Sequence, residues 1–216
     1  MSKSVYSLVL SDEVVSEIDR MAYKEGLSRS NLIDFILADY ISMETPQKRM
    51  QDIFGHMERL FSQSSNMRFL NQPSLSMASI VSALSYRYKP TVKYQVELFD
   101  DEKFIGQIKI SMRTQNSALL GLMGEFFTVW KALEEKYFGR GELSFVDESG
   151  RFYRKFTPVG GARLTPDEIS DAISEYIEDM NNAMNIYFKN CQSSQDEYLP
   201  VIESYYASTQ GERAKI

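Results

Sequence analysis

Val5-Tyr6-Ser7-Leu8-Val9-Leu10 is a run of β-branched and apolar residues with one polar break, and it reads as a strand. Side chains alternate across a strand, so Tyr6, Leu8 and Leu10 share one face, while Lys3, Val5, Ser7 and Val9 share the other. With the first set turned to a core, the second faces outward. Ser11 then offers an N-cap oxygen, and Asp12 and Glu13 suit the positive end of a helix. Val14, Ile18, Met21 and Ala22 recur at helical spacing until Gly26, which accepts the left-handed geometry that ends a helix. A second helix starts at once. Ser28 is its cap, Leu27 and Leu32 form a hydrophobic staple, and Leu32, Ile33, Ile36, Leu37 and Tyr40 make a wide apolar stripe.

One strand beside two short helices cannot close a core, because a lone strand leaves its hydrogen bonds unmet and its apolar face half covered. The unit needs a partner. Two copies pairing antiparallel satisfy both strands and interleave four helices, with Tyr6, Leu8, Leu10, Ile18, Ile33, Ile36 and Leu37 as the expected dimer core.

This pattern resembles the ribbon-helix-helix family of DNA-binding proteins over residues 4–42, about a fifth of the chain. The resemblance is carried by Tyr6 to Ser11, by Ile18-Asp19-Arg20-Met21-Ala22, and by Glu25-Gly26-Leu27-Ser28-Arg29-Ser30 on to Ile33. It implies an intertwined dimer whose two-stranded ribbon enters the major groove. By position it makes Val5, Ser7 and Val9 base-facing, with Lys3 at the edge of the groove, and makes Ser28, Arg29 and Ser30 a phosphate clamp. Helix-start N–H groups with two hydroxyls and a guanidinium are also a ready anion site on physical grounds. The bland alternative is that Ser28 only caps and Arg29 sits in water.

The ribbon departs from the family pattern. Val5 and Val9 can touch a thymine methyl but cannot read a donor or an acceptor. Residues 1–44 carry four basic side chains (Lys3, Arg20, Lys24, Arg29) against eight acidic ones, a net of −4. Counterion release per module is then small. Either several dimers bind adjacent sites, or the module keeps dimerisation and has lost the groove.

Thr45-Pro46 is a cap followed by a proline at the first helical position, and Met50, Ile53, Phe54, Met57, Leu60 and Phe61 define an amphipathic helix with His56 off its stripe. The polar stretch 62–76 reads as a linker. Val92, Tyr94, Val96 and Leu98 alternate with Lys93, Gln95 and Glu97. Phe104, Ile108, Ile110 and Met112 alternate with Gln107, Lys109, Ser111 and Arg113, so the two runs make a hairpin across Asp100-Asp101-Glu102. Residues 79–88 fit a strand or a helix. The outward Lys93, Lys109 and Arg113 read as a solvated sheet face ahead of a second nucleic-acid surface.

Residues 118–138 are apolar almost all round and form the expected central helix. A second hairpin is expected across Asp147-Glu148-Ser149-Gly150. Pro158 to Arg163 reads as a plain loop, and Thr165-Pro166-Asp167-Glu168 is a capping box that launches a long helix. A short helix through Tyr205 and Tyr206 follows, with a loose tail from 208 to 216. The expected organisation is a ribbon-helix-helix module (1–44), a connecting helix and linker (45–72), and a larger α+β domain of antiparallel hairpins and long helices (73–207).

The 216 residues are 43% apolar and 25% charged, which suits a chain with a real core, and the formal charge is −6. Nucleic-acid binding is therefore confined to a local patch. One cysteine (Cys191) and one histidine (His56) exclude an intramolecular disulfide, a Cys/His zinc cluster built from one chain and most nucleophilic triads, and no spacing suggests a carboxylate-rich metal site. No catalytic residue, metal or cofactor is expected, and the cytoplasm is the expected compartment. No apolar run approaches the ~18 residues that span a bilayer. The function implied is that of a homodimeric or higher-oligomeric regulator on double-stranded DNA, with residues 73–207 taking a small-molecule or protein partner. Alternatives are an antitoxin or plasmid-partition adaptor, with the tyrosines and methionines of the last helices exposed for a partner, and a dimerisation scaffold without DNA.

Overall fold

A computed structural model describes residues 4–101, 103–191 and 195–216, with the backbone alone for Gln195 and Asp196. The chain is α+β and divides into two compact units, Met1–Arg49 and Met50–Ile216.

In the first unit, residues 4–10 precede two helices, α1 (Asp12–Glu25) and α2 (Arg29–Tyr40). Ser11 caps α1 by accepting a hydrogen bond from the Val14 amide. Gly26 ends it at φ 67°, where a Cβ would be strained, and the Leu27 amide bonds back to the Ala22 carbonyl at 2.8 Å. The expected strand over residues 5–10 does not form. These residues have no strand beside them in the described chain, and a ladder needs two sides.

The second unit takes in most of α3 (Pro46–Ser62), whose Thr45 hydroxyl accepts from the Lys48 amide at 3.1 Å. Expected as a connector, this helix instead joins the larger core through Ile53, Phe54, Met57 and Phe61. A six-stranded antiparallel sheet follows, in the order β1-β2-β3-β4-β6-β5. Its strands are β1 (Met67–Phe69), β2 (Met77–Ala83), β3 (Thr91–Leu98), β4 (Gly106–Met112), β5 (Ser144–Val146) and β6 (Phe152–Phe156). The alternation in β3 and β4 decides which face is buried. Val92, Tyr94, Val96, Ile108 and Ile110 are buried, and the residues between them are not. The reading of 62–76 as a linker throughout is corrected by β1, which pairs Met67 with Ser82 and Phe69 with Ile80.

Helices α4 (Ser117–Phe138), α5 (Pro166–Asn190) and α6 (Gln195–Ser208) complete the unit. Asn116 caps α4, and the Thr165–Glu168 capping box starts α5. Their apolar faces meet the sheet in one core, centred on Phe126, Phe127, Trp130, Phe152, Phe156, Tyr176 and Tyr206. His56, off the apolar stripe of α3, has two carboxylates beside it. Its Nδ1 lies 2.7 Å from Asp167 Oδ1, and its Nε2 lies 3.4 Å from Asp171 Oδ1. The closing segment is not loose. Glu212–Lys215 forms a 3₁₀ turn, Ile216 is buried, and Arg213 lies over the Tyr206 ring beside Asp179.

A charge pair lies inside this core. Arg154 Nε is 2.7 Å from Glu134 Oε1, with both side chains almost wholly buried. Ser144 and Tyr176 donate to the same carboxylate at 2.9 and 3.0 Å, and Trp130 donates to the Tyr176 hydroxyl at 3.1 Å. Burial first, and then the Glu134 charge, hold the Tyr176 hydroxyl well above its usual pKa range. Removing one member of such a pair strands the other charge in a low dielectric. Arg154→Ala should therefore cost about 3–5 kcal/mol in urea unfolding. The Glu134→Ala/Arg154→Ala double variant should lose clearly less than the sum of the two single losses.

Candidate nucleic-acid interface

The first unit holds the residues expected to touch DNA. Val5 and Val9 are fully exposed, and Ser7 is exposed too. Lys3 lies outside the described residues. On the other side of the alternation, Tyr6 (83% exposed), Leu8 (60%) and Leu10 (40%) are also in solvent. Ile36 and Leu37 on α2 are exposed, and Ile18 and Ile33 are half-buried. Five of the seven residues expected to form a dimer core, Tyr6, Leu8, Leu10, Ile36 and Leu37, are thus exposed within one chain. Only Ala22, Leu32 and Ala38 of the two helices are buried.

Among the described residues, 13 of the 21 exposed large apolar side chains fall between Val5 and Met43. Single exposed apolar residues are normal on a protein surface, whereas here they are concentrated in one segment.

Ser28 has an extended backbone, and its hydroxyl accepts from the Asn31 amide at 3.2 Å, so the cap role is real. Arg29 does not sit alone in water. Its Nε and Nη2 donate to the two carboxylate oxygens of Asp19 at 2.6 and 2.5 Å, a planar fork across the two helices. The hydrogen bond from Arg29 holds the Asp19 carboxyl below its usual pKa, and Asp19 in turn raises that of the guanidinium. Ser30 is exposed one residue further on.

The clamp residues therefore stand together at one helix start, with a carboxylate already on the arginine. A phosphate offers the same pair of oxygens and would have to displace Asp19. Both side chains are about half exposed, so solvent screens the pair and the exchange is accessible. Sequence reading missed Asp19, because its role depends on how α1 and α2 pack and no local spacing announces it.

The chain matches no family model, no curated protein and no solved structure. Among the described residues no helix is long and apolar enough to cross a membrane.

Leu8→Asp puts a charge on the apolar side of the 5–10 segment. In sedimentation equilibrium the unaltered chain should have about twice the 24.9 kDa mass of one copy, and the variant should fall toward a single copy. An unaltered chain that stays monomeric at tens of micromolar would contradict this prediction.

Proposed function

We propose that this chain is a dimeric DNA-binding protein of ribbon-helix-helix type, acting in the cytoplasm as a transcriptional regulator. The observation that carries the reading is the segment 4–10, an alternating sequence left without secondary structure and exposed, with no strand beside it in the described chain. A second copy laid antiparallel supplies the missing hydrogen bonds and covers Tyr6, Leu8 and Leu10, which turns Val5, Ser7 and Val9 outward together. In the groove these residues discriminate bases, and the starts of the two α2 helices grip phosphates on either side.

Arg29 gives the grip a built-in competitor. Its guanidinium is held by Asp19 until a phosphate replaces the carboxylate, so part of the gain from DNA is spent in breaking an internal pair. Together with the acidic balance of residues 1–44, this makes the module a weak binder per dimer, and adjacent dimers raise the overall affinity.

A scaffold that dimerises without DNA is the second reading, favoured by Val5, Val9 and the occupied Arg29. A protein-binding adaptor has lost its expected support. Met180, Met184, Tyr187, Tyr198 and Tyr206 are buried in the second unit rather than displayed.

Arg29→Ala should weaken binding to every duplex sequence by a similar factor and reduce the salt slope by about one unit per arginine contact. Asp19→Asn should act in the opposite direction, tightening binding several-fold at low salt. Substitution of Ser7 should change the preferred sequence instead. A shift assay at low salt with random duplex reads all three, and no retardation of the unaltered chain would favour the scaffold.

A further inference from the structure

The sheet of the second unit buries one face and leaves the other open. Antiparallel register places opposed residues on the same face, so the open side can be read row by row. One row runs Arg68, Val81, Lys93, Ser111. The next runs Ser79, Gln95, Lys109, Tyr153, Phe145, and the third runs Met77, Glu97, Gln107, Lys155. Apart from Val81, every residue in these rows is exposed or half-buried. The face therefore holds four cations and one carboxylate, in a chain whose formal charge is −6. Among the described residues no ion pair neutralises Arg68, Lys93, Lys109 or Lys155. Glu97, the lone acid, accepts from Gln107 at 2.8 Å.

Aromatic rings lie among these cations. Phe145 and Tyr153 stack face to face, with centroids 4.9 Å apart and planes within 5°, and Phe145 is half exposed on the edge strand β5. Lys109 Nζ sits 5.6 Å from the Tyr153 centroid, and Lys155 Nζ sits 5.0 Å from that of Phe104. A ring holds a lysine in place without cancelling its charge, so the positive field survives.

We propose that this open sheet face binds single-stranded nucleic acid, with bases stacking on Phe145 and Tyr153 and phosphates crossing Arg68, Lys93, Lys109 and Lys155. Charge complementarity selects a polyanion. The exposed stacked pair selects one with unpaired bases, because a duplex keeps its base faces against one another and offers no surface to an aromatic ring. An aromatic platform with cations beside it tolerates any base, so little sequence preference is expected. The surface lies on the second unit and is distinct from the ribbon, and its existence does not depend on the ribbon reading.

Fluorescence anisotropy of the full chain with labelled oligothymidylate, oligouridylate and a duplex, each of about 15 nucleotides or base pairs, tests the proposal. Both single strands should bind at low salt, and the tighter of the two identifies DNA or RNA as the natural class. Phe145→Ala should weaken single-strand binding about tenfold, the scale of one lost base stack. Lys109→Gln should flatten the salt slope by about 0.7. Both variants should leave duplex binding unchanged, and Arg29→Ala should leave single-strand binding unchanged. Circular dichroism confirms that each variant is folded. No binding of either single strand by the unaltered chain, or equal binding by a folded Phe145→Ala/Lys109→Gln double variant, would overturn the proposal.

Discussion

A β-strand holds its form only when a neighbouring strand pairs its amides and carbonyls and its side chains gain enough by burial to offset the entropy of ordering them. Residues 4–10 meet neither condition within one chain. Their alternating pattern has no partner strand, the apolar half of the alternation stands in solvent, and Ile36 and Leu37 of α2 are uncovered as well. The second unit shows what the first lacks. Its sheet closes every internal strand between neighbours and buries one face beneath helices. The proposed dimer, the groove-facing residues and the grip of α2 all follow from meeting that one deficit.

Much of the fold was legible because its causes are local. The period of two in Val92–Leu98 and 106–112 identified a hairpin, since alternation is what a half-buried strand requires. Caps at Ser11, Ser28 and Thr165 were readable for the same reason, because the oxygen and the amide it serves lie three residues apart. Where the cause was distant, reading failed. β1 has three residues inside a polar stretch and becomes a strand only through β2. His56 falls off its helix's apolar stripe and finds a carboxylate 111 residues away. The closing segment packs because Arg213 has Asp179 and the Tyr206 ring to meet, neither of which is near it in the chain.

The candidate site divides the same way. Ser28 and Arg29 were singled out by residue type at a helix start, and the structure keeps them there. The Asp19 fork on Arg29 depends on the packing of α1 against α2 and adds a term that spacing alone does not reveal. The open sheet face shows the converse. Lys93 and Lys109 looked like ordinary solvated charges until the register set Tyr153 and Phe145 in the same row.

The most direct test of the account is hydrogen exchange of the peptide covering Val5 to Leu10, followed by mass spectrometry across a dilution series of the chain. Pairing with a second copy predicts slow exchange at high concentration that gives way to fast exchange as the copies separate. Exchange at the rate of an unstructured peptide at every concentration would contradict it.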